Sequence, residues 1–375
     1  MPLFDFMKGY NMTQETKKIG VLTSGGDCSG LNTAIRAVTF SALARGWEVY
    51  GIHNATDGLF VRPMWYQKLT MADFEFPYAA LGGTMLGTNN SGNPHLLTRE
   101  DGTVEELTDE ELNQRFADGV RELGLSALVV IGGDGSMAIV SKYCKAAGIS
   151  MIGIPKTIDN DAPGTETAIG FATAREVVLD ALDKLDTTAT SHHRVMIAEV
   201  MGRGAGHLAL QSAIAGFADV ALIPEIPYTY EGVLERLRQS FAAGRKHALV
   251  VVAEGIKNPE GKHAFATNGR TFAGVSSYFT ERLAADGFNV RANILGHIQR
   301  AGTPIAEDRL LASAFAVRAI ELLAEGQNNR VVVYREGRVQ DEDLDEILKL
   351  ANTPVDPNGA MVNVARSLGI YVGEK

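Results

Sequence analysis

Cysteine is almost absent from this chain: only Cys28 and Cys144 occur in 375 residues. That excludes a disulfide framework, and no Cys/His spacing suits zinc. Cys28 falls in a glycine-rich turn and reads as a small packed thiol. Positive charge is also in short supply. The 35 Lys and Arg face 45 Asp and Glu, a formal net charge of −10, which argues against general affinity for nucleic acid or an anionic membrane. No apolar run approaches a membrane span. Met1 to Lys18 carries no signal-peptide pattern, and Met12 reads as an alternative start. The expectation is a cytoplasmic protein with neither a nucleic-acid nor a membrane partner. There is no short-period repeat, no low-complexity stretch and no Pro/Gly/Ser linker.

What is present is a long alternation of strand and helix signals. The length favours two domains, and 45% hydrophobic with 21% charged residues is ordinary for a globular chain. Strands are expected at 18–23, 47–52, 127–131, 151–154, 194–200, 218–223, 248–253 and 290–295. Helices are expected at about 31–44, 107–123 and 206–215. Ala174, Val178, Ala181, Leu182 and Leu185 mark the buried face of another helix. Polar and glycine-rich loops fill the stretch to about residue 97. Such alternation predicts an α/β fold with parallel, doubly wound sheets and ligands at the C-terminal ends of strands. With no linker in view, the chain is expected to cross between domains more than once.

Two segments carry the strongest chemical signal. Ile131-Gly132-Gly133-Asp134-Gly135-Ser136 takes a buried strand through a glycine turn into a helix, which aims backbone N–H groups at an anion. Asp134 would repel bare phosphate there, so a divalent cation such as Mg²⁺ is expected between them. Pro155-Lys156-Thr157-Ile158-Asp159-Asn160-Asp161 follows a second strand and adds two carboxylates. A metal-bound phosphate donor beside a free carboxylate is what phosphoryl transfer to a hydroxyl requires. Each segment also has a plainer reading: a tight turn for the glycines, and solvated or helix-capping carboxylates for Asp159 and Asp161.

Further turns lie beyond other strands. Gly25-Gly26-Asp27 suits phosphate or packing equally well. In Met201-Gly202-Arg203-Gly204, an Arg inside a glycine turn at a helix start favours phosphate. Glu254 ends a strand, where it would accept hydrogen bonds from sugar hydroxyls. Arg291 opens a strand that Gly296-His297-Ile298-Gln299-Arg300 closes, a pattern suited to a phosphomonoester. With a net negative chain, a phosphorylated substrate must be held by such local Arg and His. Ser191-His192-His193-Arg194 is read as a basic strand start. Its paired histidines are not taken as metal ligands, because neighbours on a strand face opposite ways.

Together these motifs resemble the bacterial-type 6-phosphofructokinase family, in order, from about Lys18 to Leu350. The Thr-Ile-Asp-Asn-Asp and Gly-His-Ile-Gln-Arg segments are the most specific. The resemblance implies two doubly wound Rossmann-like domains. A nucleotide/Mg-binding domain would span 18–170 plus 299–349, and a sugar-phosphate domain 171–298 plus 350–375. It implies phosphoryl transfer from ATP to the C1 hydroxyl of fructose 6-phosphate. Asp159 would be the base, Thr157 would bind the moving phosphoryl group, and Arg203 would stabilise its charge. Asp134 would hold Mg²⁺ with Asp161 in support, and Gly26, Gly133, Asp134, Gly135 and Ser136 would line the donor site. Met201, Gly202, Glu254, His297 and Arg300 would hold the sugar phosphate. Arg194 and Arg291 match positions that reach a neighbouring subunit's substrate, implying a homotetramer or homodimer with shared sites.

The chain also departs from the family's common pattern. Gly135 leaves room for the α-phosphate of a nucleotide, whereas Lys156 is the residue of pyrophosphate enzymes. The pair resembles a mixed subgroup that is usually ATP-dependent, and sterics are weighted above charge. A pyrophosphate-dependent enzyme is the alternative, and a non-catalytic sugar-phosphate-binding subunit a remote one. Asn90 stands where relatives carry a donor-contacting Arg. Arg36 matches one effector-site arginine, while Phe40 and Ala243 replace basic effector residues.

Overall fold

The computed structural model describes residues 16–374, apart from 76, 91, 92, 94, 99, 100 and 265–273. The expected alternative start at Met12 lies outside them. Two compact units emerge. The first comprises residues up to Thr157, Ala162–Gly170 and Thr303–Ala351; the second comprises Ile158–Asp161, Phe171–Gly302 and Asn352 onward. The return crossing thus falls at Thr303 rather than 299, because Met201 N donates to Gln299 Oε1 at 3.1 Å and holds the 296–300 turn to the second unit. The short piece Ile158–Asp161 also groups with the second unit.

The first unit is built on a sheet ordered Arg338–Asp343, Arg330–Arg335, Ser150–Thr157, Ala127–Gly132, Lys18–Ser24, Glu48–Ile52, Tyr66–Leu69, with Ile169–Gly170 pairing alongside Ser150–Thr157. Its central pairs are parallel. The Ala127–Gly132 strand is buried at every position, as continuous apolar runs are when both faces of a parallel sheet are covered. Both edges are antiparallel, and neither edge pairing was expected. The Arg330–Arg335/Arg338–Asp343 hairpin turns through Glu336 and Gly337, both with positive φ, as a type I′ turn requires. The second unit holds a four-stranded sheet, Val220–Leu222, Ala248–Ala253, Val195–Val200, Val290–Ile294, parallel throughout. Among the described residues no helix is long and apolar enough to cross a membrane.

Local chemistry sets the helix limits. Asp109–Leu123 starts at Thr108, whose hydroxyl and Glu111 form a capping box, and stops at Gly124 in the left-handed region. Asp134–Ala147 starts straight after the Gly132-Gly133 turn, with Asp134 in its first turn, and ends at left-handed Gly148. Both helices contribute to the first unit's core. Phe60 and Phe116 are fully buried and Tyr143 nearly so. Phe116 stacks on Tyr143 with centroids 5.4 Å apart, and Phe60 meets Tyr143 edge-on at 5.5 Å.

Phe116→Ala should therefore open a cavity and cost about 3–5 kcal/mol of the first unit's stability. A urea titration followed by circular dichroism measures this. A loss below about 1 kcal/mol would show that the aromatic cluster is dispensable.

Candidate functional site

In the first unit the glycine turns after Lys18–Ser24 and Ala127–Gly132 lie side by side, because those strands are parallel neighbours in register. Gly25 has φ +85°, and a Cβ there would meet Ser136 Oγ at 3.2 Å and Lys156 Nζ at 3.3 Å. Only glycine fits. The turn is pinned from three directions. Gly25 N donates to Asn89 O at 3.1 Å, Thr88 Oγ1 donates to Gly25 O at 2.6 Å, and the Lys156 ammonium donates to Gly26 O. Asn89 is itself held by Asp57 Oδ2 at 2.7 Å, and burial pushes the Asp57 carboxyl above its ordinary range. Lys156 is only 5% exposed, so the lysine expected to influence the donor is an internal strut of the Gly25-Gly26 turn.

Asp134 and Gly135 are exposed at the head of their helix. A Cβ on Gly135 would meet nothing within 4 Å. Asn90 is exposed. The Arg36 guanidinium lies over the Phe40 ring, 4.1 Å from its centroid, and Phe40 packs edge-on against Phe74. Ala243 caps the Tyr230–Ala242 helix.

The second unit gathers most of the remaining candidates at the C-terminal ends of three adjacent strands. After Val195–Val200 the chain turns through Met201, Gly202 at φ +138° and Arg203 at φ +50°. Arg203 N donates to Glu254 Oε1 at 3.1 Å, and Glu254 N donates to Val200 O at 2.8 Å. A Cβ on Gly255 would stand 1.6 Å from Arg203 O. The Arg203 side of this turn is exposed while Met201 and Gly202 are buried. Gln299 is buried and bridges Met201 N and Gly296 O. His297 is exposed and Arg300 half-buried on the same short 3₁₀ turn. Arg291 is exposed and donates to Val290 O at 2.6 Å; Arg194 Nε is buried without a hydrogen-bond partner.

Carboxylates crowd this edge. Asp159 is 7% exposed. Glu254, also 7% exposed, has its pKa pushed up to about 7, chiefly by burial; the Arg203 amide opposes the shift, the charges of Asp159 and Glu199 add to it, and Arg300 opposes it. Glu199 is buried and accepts from Ser276 N at 2.9 Å and Ser276 Oγ at 2.7 Å, capping the Val275–Ala285 helix. Asp161 accepts from Asn352 Nδ2 at 2.6 Å. Among the described residues no three His, Cys, Asp or Glu side chains converge as a metal site would need.

Of the expected site residues, Gly26, Ser136 and Lys156 share one turn cluster with Gly133, and Met201, Gly202, Arg203 and Glu254 share another. Thr157 belongs to the first unit, and Asp159 and Asp161 to the second. One expectation is corrected: His192 ends the helix Phe171–His192 and His193 is a left-handed residue, so the pair is not on a strand. Thr187 and Ser191 turn their hydroxyls back onto carbonyls of this helix, as such residues do inside helices. Thr88, Asn89, Gly255, Gln299 and Asn352 were not foreseen. Thr88 and Asn89 share one loop, Gly255 follows Glu254 directly, and Gln299 lies within the 296–300 turn.

A family model described as Phosphofructokinase matches residues 18–323. "ATP-dependent 6-phosphofructokinase 1" of Synechocystis sp. is 44% identical over 364 residues, covering 96% of this chain and 99% of its own length. The "ATP-dependent 6-phosphofructokinase" of Chloroflexus aggregans is 42% identical, with 97% and 100% covered. Among solved structures, phosphofructokinase from Saccharomyces cerevisiae superposes with a TM-score of 0.76 at 27% identity over 94% of this chain. This chain spans about half the length of that one, 47%. A pyrophosphate-dependent phosphofructokinase from Marinobacter aquaeolei has a TM-score of 0.73 at 21% identity, covering 96% of this chain and 92% of that one; at that identity the likeness is one of fold.

Glu254 yields a pH prediction. Its folded pKa of about 7 exceeds the ordinary 4.5, so between those values the native state holds a proton that the unfolded chain releases. Its contribution to stability must fall as pH rises across that window. Glu254→Gln should flatten this slope and gain about 1–3 kcal/mol over the parent at pH 8. Urea titrations at pH 5 and pH 8 measure it; an equal offset at both would contradict the shift.

Proposed function

Because the chain belongs to the phosphofructokinase family, we propose that it transfers a phosphoryl group from ATP to the C1 hydroxyl of fructose 6-phosphate, giving fructose 1,6-bisphosphate in glycolysis. The names of relatives matched over nearly their whole length support ATP as donor. The observation that carries the reading is the open space at Gly135, which leaves a nucleotide's α-phosphate unobstructed next to the exposed Asp134. Lys156, the residue that points the other way, is occupied in holding the Gly26 carbonyl.

In this reading Asp159 takes the proton from the C1 hydroxyl as its oxygen attacks the terminal phosphorus. The bond from phosphorus to the bridging oxygen breaks, and ADP leaves with the bonding electrons. Thr157 donates to the phosphoryl group in transit and Arg203 balances its charge. Gly26 and Gly133 to Ser136 line the donor's path. Glu254, Met201 and Gly202 orient the sugar, and His297 and Arg300 hold it with them. Arg194 and Arg291 would serve a neighbouring subunit's substrate in a homotetramer or homodimer. Mg²⁺ suits the residues present: Asp134 is an exposed carboxylate at a helix head, and this ion takes one or two carboxylates and fills its shell with water and phosphate oxygens. Asp134 would hold it, with Asp161 in support; when bound it neutralises charge on the donor's phosphates. A glycolytic reaction between water-soluble substrates is assigned to the cytoplasm.

Two variants test this. Asp159→Asn should keep fold and sugar-phosphate binding but lower kcat by roughly 10²–10⁴; near-normal turnover would remove Asp159 from the role of base. Gly135→Asp should leave the fold intact, since the space is open, and set a carboxylate against the α-phosphate. Like charges about 4 Å apart at an effective dielectric near 20 repel by roughly 4 kcal/mol, about a thousandfold in affinity. ATP turnover should collapse while any pyrophosphate turnover persists. A panel of ATP, ADP, GTP and pyrophosphate on the parent and the variant decides it, and a parent that uses pyrophosphate and ignores ATP would overturn the donor.

A further inference from the structure

The piece Ile158–Asp161 is flanked on both sides by residues of the first unit, yet it groups with the second. Part of what holds it there is the segment that begins at Asn352. Asn352 Nδ2 donates to Asp161 Oδ2 at 2.6 Å, and Thr353 N donates to Asp161 O at 2.8 Å. The neighbouring Asn160 is left-handed, φ +54°, a conformation asparagine adopts more readily than other non-glycine residues.

The segment that grips Asp161 is anchored at its other contacts to the loop carrying Arg203. Thr353 O lies 3.0 Å from His207 Nε2. Val355 N donates to Glu225 Oε1 at 2.8 Å, and the same oxygen accepts from Gly206 N at 2.9 Å. Gly206 opens the helix His207–Ala215, immediately after Met201-Gly202-Arg203. Val355, Val362 and Ala365 are buried, and Ala221 N donates to Tyr371 O at 2.9 Å. The segment is thus seated firmly, while its grip on Asp161 is exposed to water.

We propose that Asn352–Val355 is a strap that sets the acidic segment in register with the Arg203 turn, and that Asn352 is a positioning residue acting through Asp161. This rests on the reading of Asp159 as the base. An exposed hydrogen bond contributes little net stability, so the strap's effect is on orientation. Orientation matters because a small misplacement of a reacting group is costly to rate. No residue of the strap is asked to touch substrate.

Asn352→Ala should lower kcat about tenfold, leave KM for both substrates within about twofold, and leave the thermal midpoint unchanged. Asn352→Asp, which sets a second carboxylate against Asp161, should lower kcat further. Amide hydrogen exchange at 158–161 should quicken in both. Asp159→Asn is measured alongside. If that variant turns over normally, the reading of the segment fails and the strap with it. If it is crippled while Asn352→Ala and Asn352→Asp keep parental kcat and exchange, the strap alone is overturned. A fall in thermal midpoint with KM raised for both substrates would mark Asn352 as merely structural and would also overturn it.

Discussion

The Arg203 peptide lies against Gly255 more closely than any side chain permits, and the second unit's chemistry follows from that approach. With no Cβ at 255, the end of the Ala248–Ala253 strand can press on the turn that follows Val195–Val200. Arg203 then takes a left-handed φ, of order 1 kcal/mol uphill for a residue of its kind. Its amide reaches Glu254 and offsets part of that strain with a hydrogen bond. The Arg203 side chain is exposed while its backbone is fixed by this bond.

The same approach brings carboxylates together. Glu199, Glu254 and Asp159 sit in one unit with restricted access to water, and their burial is unequal in its compensation. Glu199 has a helix start and a serine hydroxyl to answer its charge. Glu254 accepts from the Arg203 amide, and burial pushes its pKa up to about 7.

The parallel cores were legible in the sequence because strands such as Ala127–Gly132 and Ala248–Ala253 are apolar throughout. The edges were not. Arg338–Asp343 reads Arg-Val-Gln-Asp-Glu-Asp, which by composition is a solvated stretch, and Tyr66–Leu69 is too short to show a period. At the site, glycine turns with an embedded Asp or Arg announced themselves. Their supports did not: Thr88, Asn89 and Asn352 are ordinary loop residues whose value comes from what folds against them. His192 and His193 misled because a strand start and a helix end look alike when the residues are basic and polar.

Lys156 has a consequence for how such a chain can change over generations. Its buried ammonium donates to the Gly26 carbonyl and crowds position 25. Replacing it with glycine would remove a donor, open a void and free the turn in one step, each a loss before any new preference is gained. Position 156 and the Gly25-Gly26 turn are therefore expected to drift as a pair. A lineage carrying this lysine is held to it by the architecture of the turn.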